Sequence, residues 1–163
     1  MTMNTTLSPI DRLAKLATQR TARSASLHDA VKDLLTDIED YVPLGTTVSV
    51  DGWSLTRGTL RSNVGYNQMW WLEGGDDGSR CDLETDVDAE KYLHGDFSAP
   101  YRGPTRAELI ACAQRAGRFV EALIAKFEAE NAALESGEAA VKATATTLAE
   151  RPIELRLIPQ LDL

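Results

Sequence analysis

The chain has 163 residues, 43% of them hydrophobic, and a formal net charge of −8 at pH 7. That is enough apolar material for one packed domain with a tail, which excludes global disorder. The acidity disfavours direct binding to duplex nucleic acid, because neutralising phosphates needs a basic face.

The charge is unevenly placed. Residues 1–25 carry Arg12, Lys15, Arg20 and Arg23 against Asp11 alone, whereas residues 26–101 hold fifteen acids against five bases. The two cysteines, Cys81 and Cys112, have no paired or metal-ligand spacing, which points to a reducing cytoplasm and to no metal or cofactor. The N-terminus shows no signal-peptide pattern, and no apolar run approaches the ~20 residues needed to span a bilayer.

In chain order, "SPIDRLAKLA" predicts a helix start, with Ser8 as cap, Pro9 at the first helical position and Asp11 in the first turn. Its apolar stripe of Ile10, Leu13, Ala14 and Ala17 is weak, so residues 1–25 read as a loosely docked helical arm. "SLHDAVKDLLTDIEDYVP" predicts a stronger amphipathic helix capped by Ser26 and ended by Pro43 and Gly45, with Leu27, Val31, Leu34, Leu35 and Ile38 on one face. His28 falls at its start, opposite part of that stripe, and reads as exposed.

From Thr46 the hydrophobic period becomes two. Val48 and Val50 precede Asp51-Gly52, a favoured two-residue hairpin turn. "QMWWL" and "RCDLE" supply further strands, separated by "EGGDDGS", and Gly58 in mid-strand suggests a bulge. These segments predict an antiparallel meander of about four strands. After an irregular stretch with one helical turn near residues 89–93, Thr105 and Glu108 form a capping box at the head of a long helix. Ser136-Gly137 is expected to stop it. Along this helix Leu109, Ala113, Ala116, Val120, Leu123, Phe127, Glu130 and Leu134 alternate four and three apart, a heptad pattern. The alternation of Ile153, Leu155 and Leu157 suggests a final edge strand. The expected fold is α+β: N-terminal helices, a four-stranded antiparallel meander and a long C-terminal helix on one sheet face. The expected divisions are an arm at 1–25, a core at 26–137 and a tail at 138–163.

No motif specifies a reaction. The carboxylates Asp82, Glu84, Asp86 and Asp88 recur at every second position, which in an extended segment places them on one face. Starting an EF-hand loop at Asp82 puts Val87 where glycine is required, so calcium binding is not expected. The run then reads as a solvated strand edge or, with Asp76 and Asp77 of the preceding turn, as an acidic face for a basic partner. Adjacent Trp70 and Trp71 must point to opposite sides of their strand, one into the core and one outward beside Tyr66, where it is either covered or an interface anchor.

The leading expectation is a non-enzymatic protein–protein interaction module using that acidic, aromatic face. Its sharper form is an inhibitor or regulator of a basic nucleic-acid-handling complex, its carboxylates standing in for phosphates as in anti-CRISPR and anti-restriction proteins. The composition resembles small accessory proteins of bacterial mobile elements. One alternative is a small enzyme or ligand-binding domain with a pocket near His94, Asp96, Tyr101 and Arg102. Another is a homo-oligomer, such as a homodimer, joined through Val120, Leu123, Phe127 and Leu134 of the long helix.

Overall fold

The computed structural model describes residues 6–62, 65–75, 78–84 and 102–150, with side chains omitted at 60–62 and 65–67. Helix α1 spans Pro9–Glu39, followed by strands β1 (Thr46–Val50), β2 (Trp53–Ser62), β3 (Gly65–Gly74) and β4 (Ser79–Asp82), then helix α2 (Arg106–Glu150). The strands form one antiparallel sheet in the order β1-β2-β3-β4. This is the α+β architecture expected from the sequence. None of the described helices is long and apolar enough to cross a membrane. Two compact units are distinguished, residues 1–122 and 123–163.

Where Ser26 suggested the start of a second helix, making one or two N-terminal helices the expectation, a single 31-residue helix runs through it without a break. Ser8 caps it as expected, accepting from the Asp11 amide, and Pro9 opens the first turn. Ser26, read as the cap of a second helix, lies inside this one, and two residues before it the Ser24 hydroxyl donates to the Arg20 carbonyl 2.7 Å away, the bonding of an interior helical serine. The last turn of α1 contains no basic residue. Arg57 of β2 supplies that charge instead, donating to the carbonyls of Glu39 and of Val42, the latter at 2.6 Å. A cation at the helix C-terminus complements the partial negative charge of unpaired carbonyls. The Arg57 carbonyl also accepts from the Gly45 amide, so one residue holds both sides of the α1–β1 turn.

The two-residue turn falls at Asp51-Gly52, with φ of 52° and 80°, the left-handed pair such hairpins demand. Register then divides the sheet cleanly. Val48, Leu55, Trp70, Leu72 and Cys81 share the inner face and are buried, joined in the unit 1 core by Val31 and Leu35 of α1 and by Leu109, Cys112 and Phe119 of α2. The opposite face carries paired hydroxyls, Thr47 with Thr56 at 2.8 Å and Ser49 with Ser54 at 2.7 Å. It also carries Glu73 opposite Arg80 in register.

The expected bulge at Gly58 is absent, since Gly58 pairs in regular register with Met69. Glycine is there for space. The Trp71 ring lies across it, and a β-carbon at Gly58 would stand 2.3 Å from the ring edge. Arg80 covers the same ring at 5.5 Å from its centroid.

Helix α2 begins at the expected capping box: the Thr105 amide donates to Glu108 at 3.0 Å and the Glu108 amide to Thr105 Oγ1 at 3.1 Å. It passes through Ser136-Gly137 and continues to Glu150, 45 residues in all. A single glycine costs an interior helix only about 1 kcal/mol relative to alanine, which flanking Ala132, Ala133, Ala139 and Ala140 offset. The expected C-terminal strand lies outside the described residues.

Adding a methyl at Gly58 tests the ring-over-glycine arrangement. Gly58→Ala should destabilise the fold by about 1–3 kcal/mol, and the loss should shrink in a Trp71→Ala background. Chemical denaturation of the two single variants and the double variant measures that coupling.

Candidate functional site

Three surfaces and one buried junction of the described residues carry chemistry. The junction is where β4 ends. Asp82 donates its amide to the Arg102 carbonyl at 2.8 Å, and Leu83 donates its own to the Trp70 carbonyl at 3.0 Å. The Leu83 carbonyl accepts from His28 Nε2 at 2.6 Å, which fixes the tautomer with its proton on that nitrogen. His28 is therefore buried, contrary to the expectation of exposure. It points inward with Val31 and Leu35 because the α1 stripe is one position wider than its aliphatic residues suggest.

Arg102 is buried as well. Its guanidinium meets Glu108 in a two-pronged contact, at 2.6 Å to Oε1 and 2.9 Å to Oε2. Burial by itself would push the Glu108 carboxyl up. Hydrogen bonds from Arg102 and Thr105, together with the guanidinium charge, outweigh that and hold it below its ordinary value. Burial raises the Cys81 thiol far above the thiolate range and pushes Cys112 up to about 11. Neither is an activated nucleophile.

The acidic face is placed only in part. Asp76, Asp77, Asp86 and Asp88 lie outside the described residues. The alternating pattern does not extend through Asp82 and Glu84, because β4 stops at Asp82 and Leu83-Glu84 form a turn. Asp82 is buried, and its Oδ1 accepts from the Glu84 amide at 2.8 Å. The reason is local: an aspartate that closes such a turn on its own backbone is drawn in with it. Glu84 remains exposed, its carboxyl raised by partial burial and by the neighbouring carboxylates of Asp82 and Glu39.

Trp70 faces in at 1% exposure and Trp71 faces out, the split expected of adjacent strand residues. The outward ring is the covered alternative, half-buried beneath Arg80 and against Gly58. The Tyr66 side chain is outside the described residues, as are His94, Asp96 and Tyr101 of the pocket in the alternative enzyme or ligand-binding reading. Arg102, assigned to that pocket, is committed to Glu108. Among the described residues no group of three or more histidine, cysteine or acidic side chains is placed to hold a metal ion.

On the long helix Leu123 is buried, Val120 and Phe127 are half-buried, and Leu134 is exposed. The buried α2 stripe of unit 1 uses Phe119, which the heptad reading passed over for its neighbour Val120. Beyond Phe127 every residue through Glu150 is exposed. Here the seven-residue spacing continues past the expected stop: Leu134, Val141 and Leu148 are 70%, 69% and 60% exposed. A shallow trough of ≈ 610 Å³ runs beside Leu134, Gly137 and Val141. The spacing of Val141 and Leu148 was readable in the sequence, but the assumed stop at Gly137 removed it from view.

The third surface is a groove of ≈ 530 Å³ between the first half of α1 and the start of α2. Its floor is Leu16, Leu27, Leu109 and Ile110, and its rim is Arg20, Arg23 and Arg106. Arg106 Nε donates to Ser24 Oγ at 2.9 Å, which ties the two helices at the rim.

In comparisons with known proteins, no family model, no curated protein and no solved structure matches the chain.

The buried pair gives two measurable outcomes. Glu108→Gln keeps a capping acceptor but strands a buried guanidinium, so it should cost about 3–5 kcal/mol, while replacing both partners by Met and Leu should cost less. Denaturation midpoints of the three chains decide this. Because the folded Glu108 carboxyl is held below its ordinary value by Arg102 and Thr105, its stabilisation is present above the ordinary carboxylate range and is lost as pH falls through the lowered value. An acid titration of stability should show that loss in the parent chain and a weaker dependence in Glu108→Gln.

Proposed function

We propose that this chain is a non-enzymatic interaction protein that self-associates through the distal part of α2. The observation that carries the reading is the exposed row of Leu134, Val141 and Leu148 at seven-residue spacing, continuing from half-buried Phe127. A sustained seven-residue apolar repeat is the pattern by which helices meet other helices.

Energetics support the same reading. An isolated helix is marginal in water, and most helical stability in proteins comes from packing an apolar face. The distal segment has two internal ion pairs, Lys126–Glu130 at 3.6 Å and Glu138–Lys142 at 2.8 Å, each exposed. Exposed pairs of this kind contribute only about 0.3–0.5 kcal/mol. Against them stand Gly137 and three threonines, Thr144, Thr146 and Thr147, whose hydroxyls bond back to carbonyls four residues earlier. A partner along the apolar row supplies what the segment lacks.

The acidic-face form of the interaction reading draws, among the described residues, on Glu84 alone of its six carboxylates. The helix row is the better supported surface.

The chain should sediment as a dimer or larger assembly at micromolar concentration. Leu134→Glu with Val141→Glu should shift it to monomer while the circular dichroism of the core is retained. A parent chain that is monomeric across that range would overturn the proposal.

A further inference from the structure

We infer that the groove between α1 and the start of α2 receives the distal half of α2 from a second copy of the chain. This rests on the self-association reading and names the surface on which that helix lands.

Charge complementarity selects the occupant. The groove has an apolar floor under three arginines, Arg20, Arg23 and Arg106. Arg20 and Arg23 are exposed and, among the described residues, form no ion pair within α1. The neighbouring surface continues the character: Ile10, Leu13 and Leu16 are exposed at 78%, 66% and 57%, beside Arg12 and Lys15. A ligand for this site is therefore apolar along one side, acidic along its flanks and elongated. From Ile10 to Leu27 the strip measures about 26 Å at the usual helical rise, longer than a compact small molecule and suited to a helix laid in a groove.

Residues 121–141 of α2 have that composition. Glu121, Glu128, Glu130, Glu135 and Glu138 surround the row Phe127, Leu134 and Val141, with Lys126 beside Glu130 and, one residue past Val141, Lys142 beside Glu138 in exposed ion pairs; five acids to two bases leave this stretch net acidic. Glu130 and Glu138 lie one turn to either side of Leu134, on the same face as the apolar row. Two such faces packed on each other would bring like carboxylates together at the seam, an arrangement that disfavours that pairing. Set into the arginine-rimmed groove, the same carboxylates meet opposite charge, and Leu134 and Val141 meet Leu16 and Ile110.

A charge-exchange experiment on full-length chains tests this. One variant carries Arg20→Glu with Arg23→Glu, and the other carries Glu130→Lys with Glu138→Lys. Alone, each opposes like charges at the groove, and self-association measured by sedimentation should weaken on the order of tenfold or more. Mixed in equal amounts, the two variants set the exchanged charges opposite one another, with Arg106 unchanged in both, and association should recover toward the parent level. Circular dichroism confirms that each variant is folded. Parent-like association of the Arg20→Glu, Arg23→Glu chain, or a mixture no tighter than its components, overturns the groove. If Leu134→Glu still dissolves the assembly in that case, the α2 row stands and its partner is another surface. A monomeric parent chain overturns both.

Discussion

The buried contact between Arg102 and Glu108 is the constraint on which the arrangement of unit 1 depends. Arg102 belongs to the strip of chain leading into α2, and its carbonyl takes the amide at the end of β4. Its guanidinium holds the same carboxylate that closes the capping box of α2. Sheet end, approach and helix start thus share one pair of side chains. Opposite charges removed from water gain little net stability over a well-packed apolar pair, but they tolerate only one geometry. That exclusiveness fixes where α2 begins relative to β4. His28 acts in the same place from the other side, reaching from α1 to the carbonyl of Leu83.

The sheet divides its labour by face. Inward, Trp70 and Leu72 of the central pair are fully buried, as are apolar residues of both helices. Outward, the surface carries hydroxyl pairs, Glu73 opposite Arg80, and one tryptophan whose ring edge abuts a glycine under an arginine. Asp51, at the tip of the first hairpin, adopts the backbone conformation the turn requires and also pairs with Arg118 of α2 at 2.6 Å. Position and charge are supplied by a single residue.

Much of this was legible in the sequence, for physical reasons that differ by element. The period-two pattern and Asp51-Gly52 located the first hairpin because glycine and aspartate tolerate the left-handed backbone that few other residues adopt. Thr105 and Glu108 located the start of α2 because a capping box is a local hydrogen-bond exchange. What stayed hidden depended on contacts distant in sequence. His28 looks exposed until Leu83, 55 positions later, offers it a carbonyl. Arg57 reads as an ordinary strand residue until the carbonyls of α1 arrive beside it. Gly58 suggested a bulge because its true cause, the Trp71 ring, sits on another strand. Ser136-Gly137 misled in the opposite direction, since a stop signal is weak within an alanine-rich helix. The apolar row on distal α2 was visible as far as Leu134, whereas the arginine-rimmed groove needs two helices brought together.

The meander has a consequence for the order in which this chain folds. Each strand pairs only with its neighbours in sequence, so the whole sheet is built from hairpins, the contacts that close soonest and lose the least chain entropy. The link from His28 to Leu83 closes a loop of more than fifty residues and forms efficiently only once β4 has a place in the sheet. The hairpins therefore serve as the template, and α1 is captured late, against a surface already formed. A ribosome would release α1 first, as an amphipathic helix, basic in its first half and acidic in its second, waiting for its sheet.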